Sequence, residues 1–229
     1  MRLQLPGGHR TWWKYAAELL IVAAGVVLGL GASEWAADRR AKAEVGDAYQ
    51  ALNRELVENL GAIKFRHQVE PCVRRRISEL QNWIARQGTG ARTPLPAEIG
   101  RPGSVTVPAS VWDVSKAGQV AAKMPLNTRL RYAAVYDSLE NFSELQLSER
   151  DVWFAIGDFA GLRDLPAPEL ARLNGLVSRA AAFDEALRAN YPDMVKDFAR
   201  LGVRDSGEMP AGLLARRAIC QPLDMAQDD

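Results

Sequence analysis

An uncharged apolar stretch near the start of the chain constrains its fold more than any other feature. No charged residue occurs from Leu19 to Ser33, and tryptophans stand at both margins of the stretch. A helix from Trp13 to Trp35 has 23 residues and rises about 34 Å, enough to cross the roughly 30 Å hydrocarbon layer of a bilayer. Tryptophan rings favour the two membrane interfaces. The sequence therefore predicts a transmembrane helix over residues 15–35.

Two alternatives to a membrane span remain open at this point. Small residues at Gly29, Gly31, Ala32 and Ser33 resemble the cleavage region of a secretory signal peptide. A buried helix of a soluble protein is the other alternative. Helix-favouring residues continue past Trp35, and the paired tryptophans Trp12 and Trp13 stand beside basic residues in the tail at residues 1–14. These two features favour the membrane span.

The apolar stretch contains a Gly-x-x-x-Gly spacing at Gly25 and Gly29. Two glycines at this spacing lie on one helix face and allow a second helix to approach closely. The sequence therefore nominates Gly25 and Gly29 for pairing of membrane helices. The alternative is that they reflect only the ordinary abundance of glycine in such helices.

Residues after Trp35 predict an all-α fold. Apolar residues recur at three- and four-residue steps among charges, as in Leu52, Leu56 and Leu60, which is the pattern of an amphipathic helix. We expect the transmembrane helix to continue into a long helix that packs in an irregular extramembrane helical bundle. This domain is expected at residues 36–203, with a Gly/Pro-rich, flexible loop at 88–107 and a C-terminal tail at 204–229.

Proline and capping residues set the expected helix boundaries within this domain. Pro71 should end or kink the first long helix, because proline lacks the backbone N–H that an interior helical position uses. Later helices are expected at residues 108–118, 125–146, 148–161, 168–190 and 192–201, with a helical turn at 213–219.

Charge and cysteine content bear on the compartment. Lys and Arg are balanced across the apolar stretch, with Arg2, Arg10 and Lys14 before it and Arg39, Arg40 and Lys42 after it. Since long downstream domains are translocated largely regardless of charge, we expect a short cytoplasmic N-terminus and an extracytoplasmic main domain. There Cys72 and Cys220 form a candidate disulfide; two unrelated buried thiols are the alternative.

Two regions resemble a family of uncharacterised bacterial single-span membrane proteins, catalogued as a domain of unknown function. The first combines Lys14 to Val22, Glu34-Trp35 and the charged helix around Leu52 and Glu55; the second combines Val111 to Val120 with Leu130 to Tyr136. The resemblance covers residues 12–65 and 108–145. It implies a membrane-anchored helical domain of a bacterial protein, and it implies no catalytic residue. Together with the charge and translocation argument, we expect a protein of the bacterial inner membrane with its main domain in the periplasm.

No motif for catalysis, cofactor binding or metal binding is recognisable in the sequence. Phosphate-binding and dinucleotide-binding loops and the serine-nucleophile motifs are missing from it. His67 is the only histidine after the apolar stretch, so a nucleophile would have one candidate base. His67, Glu70 and Cys72 surround Pro71, which disrupts the spacing that a metal site needs, and a fourth ligand is missing. We expect no enzyme; a hydrolase is the weaker alternative.

Two surfaces are candidates for interaction. Arg74, Arg75 and Arg76 form a basic patch that would bind an anionic partner or, alternatively, form a solvated helix face paired with Glu70 and Glu79. Trp112, Asp113 and Lys116 combine an aromatic ring with both charges in a short, loop-bounded segment. We expect the large aromatic residues Trp83, Trp112, Trp153 and Phe154 to fill the core rather than line a ligand pocket.

The function expected from these observations is that of a structural or interaction protein of the bacterial envelope. Its partners would be the lipid bilayer and another protein or a second copy of the chain. A net charge of +1 gives no general attraction to nucleic acid, so a nucleic-acid partner is not expected. The alternative function is a periplasmic ligand-binding module, similar to a sensor, that binds a small molecule and acts through a partner.

Overall fold

The computed structural model describes residues 9–89, 93–204 and 211–223. The chain divides into two compact units, residues 1–49 and 50–229. Regular structure in the described residues is helical throughout, with no β-strand. The prediction of an all-α fold is therefore confirmed.

Helix α1 runs from His9 to Gly88 and begins before residue 15, where the apolar segment was predicted to start. In the first unit its large apolar side chains are exposed on every side, which is the reverse of a soluble core helix. These exposed residues are Trp12, Trp13, Tyr15, Leu19, Leu20, Ile21, Val22, Val26, Val27, Leu28, Leu30 and Trp35. Among the described residues, α1 is the helix that is long and apolar enough to span a membrane.

The second unit contains the remaining helices. They are α2 (Ser110–Ala117), α3 (Leu126–Gly157), α4 (Ala167–Arg200) and α5 (Ala211–Ala215), with 3₁₀ turns at Ala121–Lys123 and Ala218–Cys220. Residues of α1 from Gln50 onward pack with α3 and α4 into a three-helix core, and the shorter elements cover it.

Side-chain pairs fix the helix directions in this core. Tyr132 of α3 bonds Asn53 of α1, and Glu149 of α3 bonds Arg66 of α1, so α3 runs parallel to α1. Asp184 of α4 also accepts a hydrogen bond from Arg66. Near the end of α4, the Arg200 carbonyl accepts one from Arg131, near the start of α3. Helix α4 is therefore antiparallel to both, and residues 89–125 must return the chain to the start of the bundle.

The helix ends predicted at Pro71 and Pro192 are wrong. Helix α1 continues through Pro71 and helix α4 continues through Pro192. Both prolines are exposed, so water can reach the carbonyl that each leaves without a donor. Val69 and Val73, on either side of Pro71, are both buried. Burial of such core residues on both sides of a proline offsets the roughly 3 kcal/mol that an interior proline costs.

The predicted break between residues 146 and 148 is also wrong, because α3 is one helix to Gly157. Gln146 and Glu149 are buried polar residues in the middle of it. The amide of Gln146 exchanges hydrogen bonds with the backbone of Val105. The capping signal of Ser148 and Asp151, on which the predicted break rested, therefore lies inside a continuous helix.

The loop predicted to be flexible is anchored to the bundle in its described part. Leu95 and Ile99 lie in the hydrophobic core. The Leu95 N–H donates to the Leu162 carbonyl, and the Leu95 carbonyl accepts from the Gly161 N–H, both at 2.9 Å. The carbonyl of Thr93 accepts the indole N–H of Trp83 at 3.0 Å. Residues 93–109 therefore form a packed connection rather than a mobile loop.

Candidate functional site

Three buried charged side chains, one each from α1, α3 and α4, lie in contact where these helices pack together. The Arg66 guanidinium donates to both oxygens of Glu149, at 2.6 and 3.2 Å, and to Asp184 at 3.0 Å. The exposed fraction of each side chain is 3–4%. We call Arg66, Glu149 and Asp184 the buried charge cluster.

The buried charge cluster holds two carboxylates for one guanidinium. Burial raises the pKa of Glu149 and of Asp184, and the attraction of Arg66 opposes that rise without cancelling it. The two carboxylates raise the pKa of Arg66 against the effect of its burial, so Arg66 stays charged. The hydrogen bonds of Arg66 to Glu149 and Asp184 tie the three helices together.

A half-exposed edge of charges continues from this cluster. Glu70 binds the Arg74 Nε at 2.9 Å and lies 3.3 Å from His67 Nδ1. The His67 ring stacks on Tyr191 with centroids 3.7 Å apart. The cavity between these side chains measures about 10 Å³, which is the space for a single water molecule. The edge is a structural junction rather than a substrate pocket.

The predicted interaction segment Trp112, Asp113 and Lys116 is only partly at the surface. Trp112 is 5% exposed and stacks on Tyr136 and Tyr132, at 5.4 and 6.1 Å between ring centroids. Asp113 and Lys116 are exposed and pair with each other at 2.9 Å. The expectation that Trp112 contributes to a contact surface is wrong, since its ring fixes α2 to α3.

Glu55 of α1 holds the start of α2. Its carboxylate accepts hydrogen bonds from the Ser110 hydroxyl and the Val111 N–H, each at 3.0 Å, and from the Tyr136 hydroxyl at 2.6 Å. Burial and this carboxylate raise the pKa of Tyr136. A carboxylate at a helix N-terminus satisfies unpaired N–H groups and matches the positive end of the helix dipole. Sequence reasoning missed Glu55 because its partners lie far along the chain.

The C-terminal segment, residues 211–223, packs on α1 rather than forming a free tail. Cys72 and Cys220 are joined by a disulfide, the arrangement that the sequence proposed. Ile219 and Leu223 enter the hydrophobic core. The Leu223 N–H donates to Glu79 at 3.3 Å. Residues 205–210 and 224–229 of the predicted tail lie outside the described residues.

The three adjacent arginines act separately. Arg74 and Arg75 are exposed, pairing with Glu70 and Glu79. Arg76 is buried, and it binds Glu79 at 2.9 Å and the backbone carbonyls of Ala218 and Gln221 at 3.3 and 2.5 Å. Arg75 donates to the carbonyl of Cys220. The expected solvated patch is therefore wrong for Arg76, which holds the C-terminal segment in place.

The other predicted sites give no centre for chemistry in the described residues. Trp83 and Trp153 are buried in the core as expected, whereas Phe154 is exposed beneath the Arg101 guanidinium. Cys72 is bonded and not free for a metal, and no group of three or more His, Cys, Asp or Glu side chains there is placed to hold one. Gly25 and Gly29 are exposed, and no neighbouring atom lies within 4 Å of a Cβ added at either. Their role in helix pairing stays a prediction.

Fold and site together define a class: an all-α protein with one candidate membrane-spanning helix and a disulfide-bonded helical bundle. Comparison of the chain with models of known families, with curated proteins and with solved structures gave no match. The resemblance to uncharacterised single-span membrane proteins accordingly stays a prediction.

Proposed function

We propose that the chain is a single-pass membrane protein whose helical domain acts by contact with another protein, as a structural or accessory component of the bacterial envelope. The exposed apolar surface of residues 12–35 carries this proposal. Burying an apolar side chain of this size is worth about 1.5–3 kcal/mol, so a surface of this extent favours a lipid environment strongly.

The disulfide supports an oxidising location for the domain. Structural disulfides persist in the periplasm and other extracytoplasmic compartments, and they are rare in the cytosol. We propose that residues 1–14 lie in the cytoplasm, so that a span at residues 15–35 would put Cys72 and Cys220 in the periplasm. This arrangement agrees with the expected translocation of a long downstream domain.

Exposed leucines and a valine supply a surface for protein contact. Val114 of α2 is 71% exposed, and Leu126 and Leu130, one turn apart at the start of α3, are 60% and 58% exposed. Lys116 and Lys123 lie on neighbouring segments and are exposed. Exposed apolar side chains of this size supply contact area for a protein partner. This surface takes the place of the one that was expected at Trp112.

Purification from native membranes tests the proposed contact. After gentle solubilisation we expect the tagged chain to bring down a stable partner, or a second copy of itself, and Leu126→Glu/Leu130→Glu to lose it. The matched control is Leu147→Glu, which changes a leucine of α3 that is 45% exposed. A wild-type chain that purifies alone as a monomer would reject the contact function.

A second candidate function, ligand binding, is favoured by a cleft beside α2. The cleft measures about 330 Å³ and is lined by Trp112, Asp113, Lys116, Tyr136 and Glu140, among others. This volume is in the range of small-molecule sites. A thermal-shift screen of the detergent-solubilised chain tests it, since a ligand that binds the folded state raises the unfolding midpoint. A screen without a stabilising compound would speak against it.

A further inference from the structure

A groove between the connection, α3 and the C-terminal segment is lined by three arginines. Arg101, Arg150 and Arg217 border an open space of about 560 Å³, together with Phe154, Ser104 and adjoining small residues. We refer to it as the arginine groove. We propose that the arginine groove binds an anionic ligand that carries at least two carboxylate or phosphate groups.

The charge of its lining distinguishes the arginine groove from the cleft beside α2. Its lining contains three guanidinium groups and no carboxylate, in a chain whose net charge is only +1. The cleft beside α2, by contrast, includes Asp113, Asp137 and Glu140. A concave surface lined by one sign of charge focuses its field and concentrates ligands of the opposite sign.

Aromatic stacking fixes two of the guanidinium groups. Arg101 lies 4.2 Å above the ring centroid of Phe154, and Arg217 lies 4.2 Å above that of Phe65. A stacked guanidinium keeps its in-plane N–H donors free for bidentate bonding to carboxylate or phosphate. Within the described part of the chain, neither Arg101 nor Arg217 has a carboxylate partner, and Arg150 pairs only with the adjacent Asp151.

The disulfide completes the groove. Arg217 and Ala218 belong to the segment that Cys220 fastens to α1. Two glycines of the connection make room for this segment: a Cβ at Gly100 would lie 2.7 Å from the Ala218 carbonyl carbon, and one at Gly103 would lie 2.8 Å from Arg217 Nη1. Opening the disulfide should therefore weaken anion binding by releasing one of the three cations.

The arginine groove shares no lining residue with the cleft beside α2, so anion binding there goes beyond both candidate functions. It does not rest on the membrane span or on the protein contact, whose tests have different readouts. Carboxylate and phosphate groups occur on soluble metabolites and on lipid headgroups. The chemistry is shared, and the experiment distinguishes the two sources.

The test uses the full chain in nanodiscs of neutral phosphatidylcholine. Calorimetric titrations with inorganic pyrophosphate and with citrate measure the soluble source, and flotation with vesicles that contain phosphatidylglycerol measures the lipid source. We expect saturable binding in one arm, weakened about 10-fold or more by Arg101→Ala and by Arg217→Ala, as for loss of a charge-assisted hydrogen-bond donor. Reduction of the disulfide should weaken binding in the same direction.

Arg172→Ala is the matched control, because Arg172 is also exposed and lies over an aromatic ring, Phe159, outside the groove. It should leave the affinity within about 2-fold, which is under 0.5 kcal/mol. Circular dichroism of each variant confirms that the helices are intact. No saturable binding in either arm, or an equal loss with Arg172→Ala, would overturn the proposal.

Discussion

Replacing Arg66 with methionine tests the central junction of the bundle. The change removes the guanidinium that Glu149 and Asp184 share, at 2.6 and 3.0 Å. Each carboxyl group is at most 4% exposed, so little solvent can take the place of the lost donors. Removing one partner of a buried ion pair costs about 3–5 kcal/mol. A domain of this size has a free energy of unfolding of about 5–15 kcal/mol, so the loss is a large fraction of it.

Urea denaturation followed by circular dichroism, on the full chain in a mild detergent, measures this loss. Arg74→Met is the control, because Arg74 is 59% exposed and binds Glu70; its loss should cost under about 1 kcal/mol. The triple variant Arg66→Met/Glu149→Leu/Asp184→Leu should recover most of the stability, since apolar residues replace a buried ion cluster well. An Arg66→Met midpoint equal to that of Arg74→Met would refute the reasoning.

Three further predictions concern stability. The pKa values of Glu149 and Asp184 are raised in the folded domain, so it keeps protons that the unfolded chain releases above about pH 4. The contribution of these two groups to stability should therefore fall as the pH rises from there. Asp184→Asn should flatten a plot of the unfolding free energy against pH. Gly100→Ala should lower the unfolding free energy by about 2–4 kcal/mol, because Gly100 has a φ of +71° and its new Cβ would meet the C-terminal segment. Gly161→Ala should cost only about 1–2 kcal/mol in the same urea titration, because Gly161 has a φ of +74° but no neighbour within 4 Å of the new Cβ. Cys72→Ser, opening a bond between residues 148 apart in sequence, should cost up to about 5 kcal/mol on the chain-entropy account, and a thermal midpoint that matches the wild type would contradict it.

Helix content was predictable because it follows from local periodicity. Leu52, Leu56 and Leu60 are buried in the core, as their spacing indicated. Helix ends were less predictable. The free-energy cost of a proline inside a helix can be estimated from the local sequence, but the core packing against other helices that offsets this cost cannot. Sequence alone does not show that the stripes on both sides of Pro71 face the same core.

The buried charge cluster could not be predicted from the sequence. Glu149 lies 83 residues after Arg66 in the sequence, and Asp184 lies 118 residues after it. The local sequence around each of the three looks like that of an ordinary solvated charge. Arg76 was misassigned for the same reason, since its carbonyl partners lie in the C-terminal segment. Core packing of Trp112 was predictable from its large apolar ring, and the ring packs on two tyrosines of α3. Its nomination for a contact surface came from the loops that bound its short helix, and they do not show that the ring is buried.

Membrane extraction tests the account most directly. Membranes from cells that express the full chain are washed with alkaline carbonate and then solubilised with detergent, and the intact mass of the chain is measured in each fraction. We predict that the chain, with residues 12–35 intact, stays in the carbonate-washed membranes and is released only by detergent. An intact chain in the aqueous fraction would contradict the proposed membrane anchor.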